Sequence, residues 1–453
     1  MPHNIQSDHM KQTYTIVRIF IIAIIVATIL NGSSFWLKRV GWLEPQLYQT
    51  YKKSFRDPDI DRSFEDFKQL TRSAYQTEGV WKAFKVSKDV IFLLFIFISL
   101  LLIFRGDAGW RMRYGWLFIS MAFLFLYAFF KSLFQFGLLL PLAGLRSFLF
   151  LVVAIAGSWA VRDEMLYFLA KCLMWLILFQ LLLAPYEFMF GMQFFRSGYL
   201  LNRIVGTMLQ PGSFGIVLVL GLIWCFAFFH TRTWLWLLTV IVCVLVFFSG
   251  SGTALFLLLF ASVATLWSEI DNRYRKWLLC GGIAGSVFLF LLLPLLTGRF
   301  DVHNSLWGRL LLFKEHIFTG SEWYELLFGR GLGAGTNTAV NLLMDWQAGT
   351  AHGAGSHTVF VADSTPLMLI SQVGFIGLFL VYGLLFLAVR NDTQSRIFYV
   401  SIILASLTVN ITELFPVNFI LGLLLARSFS IAYNHKENLK STFHNSVYAK
   451  FTS

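Results

Sequence analysis

Residues 214–229, FGIVLVLGLIWCFAFF, decide the fold class of this chain. The stretch is apolar from end to end, without the alternation expected of a strand in a membrane barrel. Of the whole chain, 57% is apolar and only 13% is charged, whereas a soluble domain carries about 25% charged residues. A transmembrane helix requires about 20 predominantly apolar residues. We therefore expect an all-α polytopic membrane protein.

Similar apolar stretches recur along the sequence and predict about twelve transmembrane helices. They lie at residues 19–36, 90–104, 116–136, 143–161, 165–185, 214–229, 234–248, 253–267, 277–296, 366–389, 397–409 and 415–433. No repeat at a fixed period and no linker rich in proline or serine separates them. We expect residues 1–453 to form a single integral membrane domain.

Lysine and arginine predict the orientation, because short cytoplasmic loops are enriched in these residues. One set of connections carries them and the opposite short connections carry none, so both termini are predicted to be cytoplasmic. External loop 1 (37–89), external loop 2 (186–213) and a large external loop (297–365) then lie outside. The last one connects spans nine and ten. Long loops are more often functional than idle, so we expect the chemistry there.

The net charge of +12 does not indicate nucleic-acid binding, because the basic residues are scattered between apolar spans. The four cysteines lie within apolar runs and lack the spacing of metal ligands. No nucleotide motif is complete either. Residues 327–335, LFGRGLGAG, are rich in glycine, but no strand precedes them and no GK[ST] follows. We expect neither a metal nor a cofactor.

Two arginines at the predicted external membrane edge are candidate anion ligands. Arg146 lies about one turn inside a predicted span and has no acidic residue within a helical turn. It is either an interfacial arginine whose head reaches water or an anion clamp. Arg203 begins RIVGTMLQPGSFG (203–215), whose glycines and proline favour a sharp return into the membrane. An ordinary loop before the next span is the alternative.

The large external loop contains further candidates. Arg309 belongs to a segment with apolar residues at helical spacing, which predicts an amphipathic helix. His352, His357 and Asp363 follow within a short stretch before the next span. Their spacing matches no strong metal motif, and imidazole and carboxylate both suit proton removal from a hydroxyl. A structural hydrogen-bonding role is the alternative for each.

Several of these segments, in this order, resemble the superfamily of O-antigen polymerases and O-antigen ligases, which are bacterial inner-membrane glycosyltransferases. The resemblance covers residues 144–380, roughly half the chain. It rests on GLRSF (144–148), RIVGTMLQP (203–211), Arg309 with Gly320 after ten intervening residues, GRGLG (329–333) and DSTPLMLISQVGFIG (363–377). Two segments depart from the pattern. The turn SGSGT (249–253) lacks an arginine that relatives often have, and Ala362-Asp-Ser364 stands where ligases typically show a histidine–asparagine pair.

The second departure favours polymerase over ligase. The resemblance implies transfer of a growing glycan from undecaprenyl pyrophosphate onto a lipid-linked repeat unit, at the periplasmic face of the inner membrane. Such a polymerase usually works with a chain-length regulator. Breaking the glycosyl bond leaves a pyrophosphate, whose charge planar arginine forks hold well where water is excluded. On this hypothesis Arg146, Arg203 and Arg309 bind pyrophosphate, and Asp363, His352 or His357 is the general base.

Two alternatives stay open. An O-antigen ligase would transfer the glycan to the lipid A core. His352 and His357 are compatible with that activity, because ligases typically have a histidine in this region. A lipid-linked sugar transporter or flippase would use the same arginines as substrate contacts. A transporter typically has related halves and a site near the midplane, whereas this sequence places its polar residues in external loops.

Overall fold

The structure, a computed structural model, describes residues 2–56, 73–74, 76, 79–104, 114–158, 161, 163–192, 203–229, 232–297, 311, 313–318, 322–336, 339, 344–345, 350–351, 362 and 364–430. Helices dominate this part of the chain. In chain order they are α1 (Pro2–Arg39), α2 (Pro45–Arg56), α3 (Gly79–Phe104), α4 (Gly115–Phe136), α5 (Leu139–Arg146), α6 (Leu149–Gly157), α7 (Asp163–Phe190), α8 (Pro211–Phe228), α9 (Arg232–Ser249), α10 (Gly252–Glu269), α11 (Asn272–Thr297), α12 (Trp323–Phe328), α13 (Thr365–Asn391), α14 (Arg396–Ser406) and α15 (Val417–Phe429). A π-helical turn covers Phe313–Phe318 and a 3-10 turn covers Ile411–Glu413. Two short antiparallel strands, β1 (Met344–Asp345) and β2 (Thr350–Ala351), pair with each other.

The prediction of a helical membrane protein is confirmed in its coarse form. Among the described residues, 5 helices are long and apolar enough to cross a membrane, or up to 6 if one bent pair counts as a span. The five are Thr15–Arg39, Gly115–Phe136, Asp163–Phe190, Pro211–Phe228 and Thr365–Asn391. Each predicted apolar stretch overlaps a helix or the bent pair. The count of about twelve spans stays a prediction.

The bent pair corrects one predicted span. Residues 143–161 were predicted to form one transmembrane helix, but α5 and α6 are two helices that meet at 57° across Ser147 and Phe148. The backbone at Gly144 touches the backbone at Gly333, so closely that a Cβ on Gly144 would overlap it. Ser147 Oγ donates to Glu413 Oε1 at 3.0 Å. Contacts from distant segments therefore accompany the bend, and the local sequence, which is apolar on both sides, does not reveal it.

A second bend lies within α13, where Gly374 has φ 69°. This left-handed conformation favours glycine. A Cβ at Gly374 would also overlap the carbonyl of Leu327. The last turn of α12 therefore packs against α13 at this bend.

Helix α8 lies at the centre of the bundle. It packs against α7, α9, α10 and α14, and 78% of its apolar window is buried within the protein. Pro211 stands at its first turn, a position where the missing N–H costs no helical hydrogen bond. At its other end the Trp224 indole donates to the Leu166 carbonyl at 3.0 Å.

Candidate functional site

Five connecting segments lie at one end of the helix bundle, which we call the loop end. They are the α5–α6 break, the loop 203–210, the turn 249–251, the glycine-rich turn 329–336 and the 3-10 turn Ile411–Glu413. Hydrogen bonds and close backbone contacts join neighbouring members of this group. For example, the Ser147 hydroxyl at the α5–α6 break donates to Glu413 Oε1 in the 3-10 turn at 3.0 Å. Four of them belong to segments that the sequence predicts to face outside, and the α5–α6 break lies about one turn inside the predicted external end of its span. The loop end is therefore the candidate site.

Arg146 is the most accessible of the predicted site residues that the structure describes. It is the last residue of α5, and 43% of its side chain is exposed. Its Nε lies 3.0 Å from Asp89 Oδ1 on α3. The sequence shows no acidic neighbour near Arg146, because this partner comes from another helix. A half-exposed guanidinium at the break of a bent span can reach an anion at the membrane edge.

Arg203 is buried and binds the turn after α9. Its Nε donates to the Ser249 carbonyl at 2.7 Å, and its Nη2 donates to the Gly250 carbonyl at 3.1 Å. The family resemblance expected an arginine within the turn 249–253, where this sequence has none. The structure brings Arg203 from the preceding loop to that turn. The loop 203–210 leads directly into α8.

A buried ion pair that the sequence analysis missed supports this loop. Arg39, at the end of α1, pairs through Nη1 with Glu187 Oε1 on α7, and both side chains are fully buried. The Glu187 carboxylate also accepts the backbone N–H groups of Val205 and Gly206, each at 2.8 Å. Arg39 Nη2 in turn donates to the Arg203 carbonyl at 2.7 Å. The pair therefore holds the loop at three backbone positions, those of residues 203, 205 and 206.

One signal in the sequence could have revealed this pair. Arg39 lies just after the first predicted span, at its external end, and lysine and arginine are disfavoured in short external segments. A cation on the unexpected side calls for a partner, and a charged partner for it is buried at Glu187. Residue spacing alone does not identify that partner, since the two residues are far apart in the chain.

Close backbone contacts fix the next part of the same loop. A Cβ on Gly32 of α1 would overlap the carbonyl of Thr207. On the other side the Gln180 side chain donates to Thr207 Oγ1 at 2.8 Å and accepts the Thr207 N–H at 3.2 Å. Helices α1 and α7 thus enclose the loop, and its backbone has little freedom.

The glycine-rich turn 329–336 packs among helices. Its Leu332 N–H donates to the Ala128 carbonyl at 3.1 Å, and the Ser132 hydroxyl donates to the Leu332 carbonyl at 2.7 Å. The buried Arg330 lies 3.6 Å from Glu325 Oε2. Burial lowers the pKa of the Arg330 guanidinium, and the nearby carboxylate partly offsets that effect. The turn is a packing element in which helix α12 precedes the glycines, unlike a strand-first nucleotide loop.

Four predicted site residues, Arg309, His352, His357 and Asp363, lie outside the described residues. Their roles stay predictions. Two described residues nearby do lie at the loop end. The Ala362 N–H donates to the Gly335 carbonyl at 2.8 Å, and the buried Ser364 immediately precedes α13.

Among the described residues, no group of three or more histidine, cysteine, aspartate or glutamate side chains is placed to hold a metal ion. The chemistry available at the loop end is that of guanidinium groups, carboxylates and backbone amides. We compared the chain with protein-family models, with curated proteins and with solved structures, and none of the three comparisons found a match.

Proposed function

We propose that this protein is a polysaccharide polymerase of the O-antigen type. It would transfer a growing glycan from undecaprenyl pyrophosphate onto a lipid-linked repeat unit, at the periplasmic face of the bacterial inner membrane. The C–O bond to pyrophosphate breaks, and a hydroxyl of the acceptor sugar supplies the new bond and loses its proton. A chain-length regulator is the expected protein partner. The proposal rests on the order of the sequence motifs together with the geometry of the loop end.

The observation that carries the proposal is the position of Arg146. A permanently charged, half-exposed guanidinium stands at the break between α5 and α6, beside loops that converge from across the bundle. A pyrophosphate carries more negative charge than the Asp89 carboxylate that now contacts Arg146, so it competes well for the same donors. Such a cation stabilises the leaving group most where water is scarce.

The buried Arg203 supports the proposal in a different way. Its guanidinium donates to the carbonyls of Ser249 and Gly250, so it shapes the turn between α9 and α10. Under the proposal this fixed turn forms one wall of the pyrophosphate site. Arg309 is the second proposed pyrophosphate ligand, and Asp363, His352 or His357 is the proposed base for the acceptor hydroxyl.

A gel of surface lipopolysaccharide tests the activity. A strain that lacks this gene is compared with the same strain carrying the wild-type gene. If the protein is a polymerase, the strain that lacks it keeps a single repeat on the lipid core and loses the long ladder. Loss of every repeat would instead indicate the ligase or the flippase. An unchanged ladder would overturn the proposal for this polysaccharide.

Arg146→Lys then tests the site. Lysine retains the charge but lacks the planar fork, so we expect polymer formation to fall by roughly 10²–10³-fold, the effect of removing one oriented donor from a charged transition state. Arg390→Lys is the matched control, because Arg390 is exposed at the opposite end of α13. Normal ladders in both Arg146→Lys and Arg309→Lys, at normal protein levels, would refute the clamp hypothesis.

A further inference from the structure

Two adjoining cavities lie at the end of the bundle opposite the loop end. The first, about 480 Å³, is an apolar groove between α7 and α9, with Leu237 and Trp175 on its walls. The second, about 450 Å³, is polar and extends toward Arg18 of α1. Tyr167 and Lys171 line both cavities and form the seam between them.

Lys171 occupies an unusual position within a long apolar helix. It lies inside the predicted span 165–185, and its ammonium lies 4.7 Å from the centroid of the Tyr167 ring. Within the described part of the chain, no carboxylate forms an ion pair with Lys171. A cation at membrane depth is costly unless it meets an anion or reaches the interface. Its contact with Tyr167 directs it one turn toward the start of α7.

The charges beside this seam are arranged in layers along α7. Lys171 is deepest, and Glu164 lies seven residues nearer the helix start, about 10 Å along the axis. The Lys171 side chain points toward the start of α7, where its ammonium lies beside the Tyr167 ring and nearer to Glu164 than its own backbone does. The other carboxylate of the polar cavity, Asp163, is paired with Arg427 at 3.1 Å. A cation therefore lies below an exposed carboxylate at the mouth of an apolar groove.

We propose that this seam binds one phospholipid with an ethanolamine headgroup, in the leaflet opposite the loop end. The lipid phosphate contacts the Lys171 ammonium, and the primary amine of the headgroup contacts the Glu164 carboxylate farther out. An acyl chain fills the groove between α7 and α9, whose walls are apolar from Lys171 to Leu178, about 10 Å. The order of phosphate, then amine, along the membrane normal matches the order of cation, then carboxylate, on α7. The site is independent of the proposed transferase activity.

Native mass spectrometry of the full-length protein in detergent tests this assignment. Phosphatidylethanolamine, phosphatidylglycerol and phosphatidylcholine with identical acyl chains are titrated separately, and the affinity for the first bound lipid is measured. We expect phosphatidylethanolamine to bind most tightly. Lys171→Gln should weaken its binding about tenfold, the effect of losing one charge-assisted hydrogen bond. Lys276→Gln is the matched control, since Lys276 is exposed near the same end and lines neither cavity.

Two further variants separate the parts of the site. Glu164→Gln should reduce the preference for phosphatidylethanolamine over phosphatidylglycerol about threefold, because only the amine contact is lost. Leu237→Trp should weaken all three lipids alike, because it fills the groove from an exposed position and leaves both charges in place.

Four results would overturn the assignment. Equal affinity of wild-type protein for the three lipids would remove the role of the headgroup. Tighter binding of phosphatidylglycerol would mean that the cations alone decide selectivity. Unchanged phosphatidylethanolamine binding in Lys171→Gln, with size-exclusion profiles showing that the variant is folded, would exclude the seam as the site. Glycerophosphoethanolamine without acyl chains serves as the final probe, and if it bound as tightly as the intact lipid, the groove would have no part in binding.

Discussion

Removing the negative charge of Glu187 should destabilise the protein more than any exposed charge substitution. Glu187→Gln keeps the size of the side chain, but one carboxylate oxygen becomes an NH₂ group. That carboxylate accepts from Arg39 Nη1 and from two backbone N–H groups, so an amide donor must face at least one of these donors. Arg39 is then left as a fully buried charge without its counter-ion.

The expected loss of stability follows from that geometry. Breaking a buried ion pair by removing one partner costs about 3–5 kcal/mol. An unsatisfied backbone N–H alone costs about 1–3 kcal/mol, and the two effects overlap because one carboxylate serves both. We therefore expect about 3–5 kcal/mol in total. The wild-type, Glu187→Gln and Glu164→Gln proteins would be unfolded with SDS in mild detergent micelles and followed by tryptophan fluorescence. Glu164 is the matched control because it is exposed on the same helix.

A double-mutant cycle makes this test specific to the pair. Arg39→Met removes the buried cation, so the double variant Arg39→Met/Glu187→Gln should be less destabilised than the sum of the single variants. A coupling of about 0.5–3 kcal/mol is expected for residues in direct contact. Exposed substitutions usually change the free energy of unfolding by about 0.5 kcal/mol or less. The reasoning would therefore be refuted if the free energies of unfolding of Glu187→Gln and Glu164→Gln differed by less than about 1 kcal/mol. It would also be refuted if the effects of Arg39→Met and Glu187→Gln were additive.

The remaining predictions concern close packing and the opposite end of the bundle. Gly32→Ala should destabilise the protein by about 1–3 kcal/mol in the same assay, because its methyl group would overlap the carbonyl of Thr207. Gly374→Ala should be more harmful and lower the yield of folded protein in size-exclusion chromatography, because overlap with a backbone carbonyl is combined with φ 69°. Arg427→Met should lower the free energy of unfolding in SDS by about 3–5 kcal/mol. The buried Asp392 carboxylate, which lies 3.3 Å from Arg427 Nη1, would lose this counter-ion.

Matched controls decide these three outcomes. Gly383→Ala lies in the same helix as Gly374 but has open space at its Cβ, so it should be neutral or stabilising by up to about 1 kcal/mol. If Gly32→Ala and Gly374→Ala were as stable as Gly383→Ala, this result would contradict the close backbone contacts at Gly32 and Gly374. Arg396→Met is the control for Arg427→Met, because Arg396 is exposed and lies near the same end. Equal stability of these two arginine variants would contradict the buried network.

Much of the fold could be predicted from sequence because crossing hydrocarbon imposes a local requirement. Long apolar runs such as residues 214–229 are needed wherever a helix spans the membrane, and each predicted run overlaps a helix or the bent pair of the structure. A turn of the chain before Pro211 could also be predicted, since proline fixes its own φ and glycine permits turn conformations. The bend between α5 and α6 could not, because both halves are equally apolar.

The candidate site divides in the same way. The sequence by itself determined that Arg146 and Arg203 stand out, because isolated cations at a membrane edge are costly and therefore visible in an apolar context. Only the tertiary structure decided what each one does: Asp89 meets Arg146 from another helix, and Arg203 is buried against the turn at Ser249. The Arg39–Glu187 pair shows the physical reason. An insertion cost depends on a residue's own segment, whereas a partner for a buried charge depends on which segments pack together.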